Sequence, residues 1–452
     1  MISNKFIVDK ASQIISGGGL TEQQISQMYS VDTLSERSVL SVANLAALPN
    51  VVSNLGSLVY VVAENKYYYS DGVTWNINYS SEYTIISSVA YAWGFGRDGQ
   101  LGDGTTTLSR PSPVTVLGGI TNWSRVSAGG SHNLALTTTG IAYAWGSGGE
   151  HLGDGTLTSR LSPVTVIGGL TWSQLDAGSS HSLGLTSTGI AYAWGGNGSG
   201  QLGTGNTTST SSPVTVVGGI TNWSQLAAGS SHSLGITSTG IAYAWGANNS
   251  GQIGDGTTVS KLSPVTVVGG ITNWSQLVAG NSHTVGLTST GIAYAWGRNL
   301  EGQLGNGYSG VGTSRLSPVT VVGGITNWSQ VSIGKNAVST LGLTSTGIAY
   351  GWGYNGQGRL GDGTTTQRSI PVTVVGGITN WTQLSAGDNF ALGLTSAGIA
   401  YAWGRGNEGQ LGNGTLTSRL SPVTVVGGIT NWSQVSAGGN HSLCLTLASK
   451  GF

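Results

Sequence analysis

One sentence recurs along this chain with small changes of wording, and GGITNWSQLAAGSSHSLGITSTGIAYAWG, residues 218–246, is a typical copy. The tryptophan of its A-Y-A-W-G phrase stands at Trp93, Trp145, Trp194, Trp245, Trp296, Trp352 and Trp403, at spacings of 52, 49, 51, 51, 56 and 51 residues. The N-W-S phrase gives the same count at Trp123, Trp172, Trp223, Trp274, Trp328, Trp381 and Trp432. Seven units of about 51 residues restrict the chain to a solenoid or a propeller. The 77 glycines and 8% charged residues would alone suggest low complexity. Aromatic residues at a fixed period instead indicate a repeatedly built core.

Each unit holds four short segments of period-2 alternation separated by Gly, Thr and Ser turns: A (WSQL.AG), B (HSL.LT), C (AYAWG) and D (SPVTV). Four strands per repeat make a propeller blade. In strand C, Tyr243 and Trp245 share one face and Ala242 and Ala244 the other, so an aromatic face is expected against small residues of the next blade. The repeats begin with C and D of one blade and end with A and B of another. Pairing these halves would close the ring and remove every exposed edge, whereas a solenoid would need caps. We expect an all-β, seven-bladed propeller over residues 88–452.

The run G-Q-L-G-D/N-G-T after A-Y-A-W-G, then A-G-x-S-H-S-L-x-L-T-x-x-G, resembles the repeat of the RCC1 (regulator of chromosome condensation) family over residues 88–447. That resemblance implies the seven-bladed fold. It leaves function open, because related propellers serve as exchange factors, enzyme inhibitors and interaction modules.

Residues 1–87 differ and are expected to form a small α+β attachment or oligomerisation domain. Thr21 to Leu48 places Ile25, Met28, Val31, Leu34 and Leu45 at helical spacing, with Pro49 as a stop. Gly56 to Tyr79 reads as a three-strand meander with turns at 63–65 and 70–72. Its L-P-N…G-x-L-V-Y-V…Y-Y-Y-S-D-G-x-T-W phrase is similar to short modules of tailed-bacteriophage structural proteins.

Several functions are disfavoured. Residues 1–87 carry 4 basic and 7 acidic side chains and the remainder 13 and 10, so neither part has the basic excess of a nucleic-acid binder. The N-terminus lacks an apolar signal-peptide core and no stretch has membrane-spanning length, so neither export nor insertion is expected. The lone Cys444 excludes an internal disulfide. Gly94-Gly96-Gly99 and Gly404-Gly406-Gly409 fit G-x-G-x-x-G but lead into strands rather than a helix, so no dinucleotide cofactor is expected. His132, His181, His232, His283 and His441 share one repeat position that Phe390 also fills. This points to histidines satisfying backbone groups at the A-B turn and not to a metal. Asp103, Asp154, Asp255 and Asp362 in G-D-G-T are turn residues, replaced by Asn306 and Asn413. The N-W-S sequons follow from the repeat. No catalytic constellation emerges, so no enzyme is expected.

Differences among the copies gather in the C-D loops and A-B turns, which an up-and-down blade places at one end. Arg97, Asp98, Glu150, His151, Arg298, Glu301, Lys335, Arg359, Arg405 and Glu408 are expected to form a binding face there. Arg110, Arg160, Lys261, Arg315, Arg368 and Arg419, just before strand D, make a basic rim suited to anionic glycans unless paired with nearby Asp. The sequence reading is a non-enzymatic, structural and host-binding component of a phage virion, in the tail, neck or fibre. Residues 1–87 would attach to other virion proteins or to copies of themselves, and the propeller face would meet a host protein or glycan. The alternative is a cellular, cytoplasmic RCC1-like interaction protein that regulates a small GTPase or inhibits an enzyme. A carbohydrate-binding module is third. The length excess near Tyr308 to Gly312, about five residues, falls short of the inserted wedge expected of an exchange factor.

Overall fold

The computed structural model describes residues 40–42, 58–61, 66–70, 75–77 and 85–450. It divides into two compact units, the larger running from Ile86 to Ser449. In the smaller, β1 (Leu40–Val42) pairs in parallel with β2 (Leu58–Val61). The sheet continues antiparallel through β3 (Lys66–Ser70) and β4 (Trp75–Ile77). Leu40–Val42 is thus a strand inside the segment expected to be helical, because ladder hydrogen bonds to β2 outweigh a loose helical periodicity. The rest of that helix, with its stop at Pro49, lies outside the described residues.

The larger unit is a seven-bladed propeller of four-stranded antiparallel sheets. Blade 1 comprises strands A (Trp123–Ala128), B (His132–Thr137), C (Ala142–Gly146) and D (Arg160–Thr165). Strand A opens blades 2 to 6 at Trp172, Trp223, Trp274, Trp328 and Trp381. Blade 7 joins the two ends of the repeat region: A (Trp432–Ala437) and B (His441–Lys450) pair with C (Ile85–Phe95) and D (Ser109–Thr115). The ring therefore closes by the complementation read from the sequence. A 3-10 turn at Glu150–Leu152 is the sole helical element among the described residues.

The core lies between blades. Trp245 of blade 3 is fully buried against Ala191 and Ala193 of blade 2, with Leu183, Leu185 and Leu202 around it. Trp223 packs edge-on against Tyr243, with ring centroids 5.4 Å apart. The indole also serves as a latch: Trp245 Nε1 donates to the Gln201 carbonyl in the C-D loop of blade 2 (2.9 Å). The other six strand-C tryptophans bond the preceding blade's loop in the same way, at 2.9 to 3.2 Å. Such close approach requires glycine in that loop. Gly203 has φ +66, and a Cβ there would lie 2.8 Å from Trp245 Nε1. Farther out, the second glycine of each G-D/N/T-G turn donates its N–H to strand D of the next blade, as Gly205 does to Leu262 at 2.9 Å.

Candidate functional site

Strand A of every blade lines the central channel, a polar cavity of about 230 Å³. Its third residue is Gln174, Gln225, Gln276, Gln330, Gln383 and Gln434 in six blades and Arg125 in blade 1. Alternation along the strand turns this position out of the inter-blade core. The amide then clamps the edge of the next blade: the Leu226 N–H donates to Gln174 Oε1 (3.1 Å), and Gln174 Nε2 donates to the Leu226 carbonyl (2.8 Å). Two strand positions on, Ser127, Ser332, Ser385 and Ser436 accept the next strand's N–H in a second ring, as from Ala386 to Ser332 at 3.0 Å. Backbone edges that would otherwise be unpaired are thereby satisfied.

Blade 2 carries Asp176 in this second ring. Asp176 accepts from Ser127 Oγ at 2.9 Å and from the Ala228 N–H at 2.8 Å. Lys335 in the A-B turn of blade 5 crosses the channel mouth to meet it, with Nζ also 3.0 Å from the Ala228 carbonyl. Lys335, expected on the binding face, therefore points inward as a tie across the channel. The length of a turn does not reveal which way its side chain faces.

The five histidines are fully buried, and their partners differ from the expected turn backbone. His132 Nε2 bonds Ser182 Oγ of the next blade (2.9 Å), and that hydroxyl donates to the His151 carbonyl (2.8 Å). The hydroxyl's donation leaves its lone pair for Nε2–H, and because burial favours the neutral ring, Nδ1 is the unprotonated nitrogen. The same relay joins His181 to Ser233, His232 to Thr284, His283 to Thr340 and His441 to Asn133. Burial pushes His181, His232 and His283 down to about 3 and His441 to about 4, with the cations of Lys335 or neighbouring imidazoles adding to it at the first three. Burial likewise takes His132 well below its usual value. Where the next blade offers Ala391 instead of a hydroxyl, the histidine is replaced by Ser339. Among the described residues no group of His, Cys, Asp or Glu could hold a metal ion.

The other residues of the expected face do different work. Arg359 is buried, donates to the Asp388 carbonyl (2.8 Å) and stacks on Tyr354, 4.7 Å from the ring centroid. Burial lowers its pKa. Asp388 is pushed up, also by burial, although Asn336 bonds both its oxygens. His151 stacks on His132 with centroids 4.4 Å apart. Arg298 pairs with Glu301 (2.7 Å) and Arg405 with Glu408 (3.3 Å), each inside one loop. Arg97 is exposed, and Asp98 and Glu150 are half-exposed. The ten residues therefore share one end of the propeller without converging on one site.

The basic rim is largely a rim of ion pairs. Arg110, Arg160, Lys261 and Arg368 meet Asp103, Asp154, Asp255 and Asp362 at 2.6 to 3.1 Å. Where the turn carries Asn306, Arg315 instead lies 5.9 Å over Tyr308. Arg419, opposite Asn413, has no carboxylate partner among the described residues. A continuous positive surface for anionic glycans is not formed.

Two features went unread in the sequence. One is the glutamine ring with its single break at Arg125, visible as a residue type kept in six of seven copies. The other is that the length excess lies in two places. Trp296 to Arg315 spans 19 residues against 16 for Trp245 to Lys261, and Trp328 to Trp352 spans 24 against 22 for Trp274 to Trp296. Blade 4 is thus lengthened in its C-D loop and blade 5 in its A-B turn. The blade 4 insertion carries exposed Leu300, Tyr308 and Val311, and exposed Tyr354 of the blade 5 C-D loop bonds through its N–H to the Val338 carbonyl at the end of the lengthened turn. The C-D loops of blades 7, 1, 3 and 6 each expose one large apolar residue, Leu108, Leu157, Val259 and Leu416.

An RCC1-like domain model matches residues 85–381, and two RCC1 (regulator of chromosome condensation) repeat models match residues 381–410 and 397–445. The ultraviolet-B receptor UVR8 of Arabidopsis thaliana is 35% identical over 228 residues, 49% of this chain and 50% of that protein. The human E3 ubiquitin-protein ligase HERC2 is 32% identical over 229 residues, 49% of this chain and 5% of that protein. The chain thus spans at most about half the length of these relatives. Among solved structures, human WBSCR16 superimposes with a TM-score of 0.71 at 22% identity, over 80% of this chain and 99% of its own. Yeast RCC1 (Prp20) bound to Kap60 gives 0.72 at 21%, over 81% and 90%. These are cellular proteins, which overturns the expectation of a phage virion component. That expectation rested on a short N-terminal phrase and on the gathering of variable loops at one face, whereas the family match lies in the repeats.

Proposed function

We propose that this chain, which belongs to the RCC1-like domain family, is a non-enzymatic protein-interaction module whose contact surface is the blade 4 and blade 5 sector of the loop face. The observation that carries this reading is the cluster of three exposed apolar side chains, Leu300, Tyr308 and Val311, in the lengthened blade 4 loop, with exposed Tyr354 in the adjacent blade 5 loop. Aromatic and aliphatic side chains beside an arginine, here Arg315, are the composition from which contact hot spots are built. Charges on the face are balanced, which favours a partner held by apolar contact over a strongly basic or acidic one. The yeast relative Prp20p is described by its binding to Gsp1p and histones, a precedent for protein partners in this fold.

A photo-crosslinking residue placed at Tyr308 tests the reading against the same residue at Ile141, exposed in a B-C turn at the opposite end. Protein adducts formed from position 308 and absent from 141 are expected. Equal labelling, or none, would overturn the assigned surface. A nucleotide-release assay with small GTPases then decides whether the partner class is the GTPase-regulator one.

A further inference from the structure

The glutamine ring is broken once, and the break leaves charge and hydrogen-bonding groups unused. Arg125 occupies the clamp position of blade 1 and is exposed where it lines the channel. No hydrogen bond joins it to strand A of blade 2, so Leu175 lacks the amide that covers Leu226, Leu277, Val331 and Leu384 in their blades. Nor does any carboxylate pair with Arg125 among the described residues. The channel lining holds three charged side chains, Arg125, Asp176 and Lys335, and the last two neutralise each other, leaving one net positive charge in a polar cavity. Gln174, Gln225, Gln276, Gln330 and Gln434 each donate one Nε2–H to the next blade and have a second without a protein acceptor.

We propose that the central channel is a binding site for a small oxyanion of the phosphate class, centred on Arg125. The guanidinium presents a planar fork of donors matched to two phosphate oxygens. The uncovered Leu175 N–H and the spare glutamine amides supply neutral donors around it. The uncovered Leu175 carbonyl accepts the hydrogen of hydrogen phosphate. A cavity of about 230 Å³ accommodates such an ion with several waters. The site rests on strand-A side chains, and Lys335, which reaches the channel from the blade 5 turn, is the lining residue it shares with the loop face proposed above for protein contact.

The substitution Arg125→Gln removes the charge and restores the clamp present in the other blades, so the variant is expected to fold with unchanged or raised thermal stability. Inorganic phosphate, titrated into the full chain by calorimetry and in thermal melts against chloride at equal ionic strength, is expected to bind and to raise the melting temperature of the parent protein. In R125Q the affinity is expected to fall by about tenfold or more. Phosphate that stabilises both proteins equally, or neither, would overturn the proposal. Should R125Q fail to fold, Arg125→Met is read by the same criteria.

Discussion

Lys335 Nζ stands 3.1 Å from each carboxylate oxygen of Asp176, a residue 159 positions earlier and three blades away around the ring. Both side chains are largely shielded from solvent, with 14% and 20% exposure. The pair ties opposite sides of the channel, a link that nearest-neighbour blade contacts cannot make. A double-mutant cycle of Lys335→Ala and Asp176→Ser, followed by urea unfolding, is expected to give a coupling of about 1–2 kcal/mol. Serine at 176 keeps an acceptor for Ala228, as in the serine blades, so the cycle isolates the tie. A coupling near zero would place the pair with ordinary surface ion pairs.

The seven indole latches predict equal cost around the ring. Trp245→Ala is expected to destabilise by about 3–5 kcal/mol, mostly through the cavity left between blades 2 and 3. Trp245→Phe retains most of the packing and loses the bond to Gln201, for a smaller loss of about 1–2 kcal/mol. Trp93→Phe, in the blade that joins the chain ends, should cost the same, because its bond to Gln410 repeats the geometry. Denaturation midpoints of the three variants check this. A much larger loss at Trp93 would mean that closure, rather than each interface, limits stability.

Acid sensitivity follows from the buried histidines. Their folded pKa values lie below the ordinary 6.5, at about 3 for His181, His232 and His283 and about 4 for His441. The unfolded chain therefore binds more protons as pH falls through 6.5, and stability is lost from there down to the folded values. Each histidine contributes a slope of about 1.4 kcal/mol per pH unit in that window. Asp154, Asp255 and Asp362 are held below their usual pKa by their threonine and Arg or Lys hydrogen bonds, which prevail over the opposing effect of burial. They add a further loss below about pH 4. His232→Phe, which copies the phenylalanine that blade 6 already carries, should lower the acid-unfolding midpoint. An unchanged midpoint would show that His232 does not titrate with unfolding.

How much of this was legible in the sequence depends on whether a feature repeats. The strand order, the closing blade and the alanine face that receives Trp245 follow from period and alternation, since every copy obeys the same packing constraint. One link of the histidine relay leaves a trace, Ser339 and Ala391 changing together in neighbouring copies, whereas Phe390 stands opposite an unchanged Ser442, and the trace has meaning only once the contact is known to run from one blade to the next. Lys335 and Arg359 were misplaced because a loop residue's direction depends on what lies across the channel or beneath the loop. Repeat comparison carries no such information. The paired insertions in blades 4 and 5 merged into one because a spacing between tryptophans sums whatever lies between them. Leu40–Val42 shows the opposite failing, a short strand whose partner, Leu58–Val61, outweighs local propensity.

If departures from the repeat in the blade 4 and blade 5 sector of the loop face carry the interaction, replacing them removes it. The test grafts the blade 3 C-D loop (residues 247–260) onto blade 4 and substitutes Tyr354→Ser in blade 5 of the full chain, leaving the Lys335–Asp176 tie in place. A second variant, with that C-D loop placed in blade 2, serves as control. Affinity capture from cells of the source organism, quantified by mass spectrometry beside thermal melts of all three proteins, is the measurement. Folded variants are expected, with at least one protein retained by the parent and the control but reduced about tenfold or more by the blade 4 and 5 variant. The same proteins captured equally by all three would contradict this placement of the contact surface.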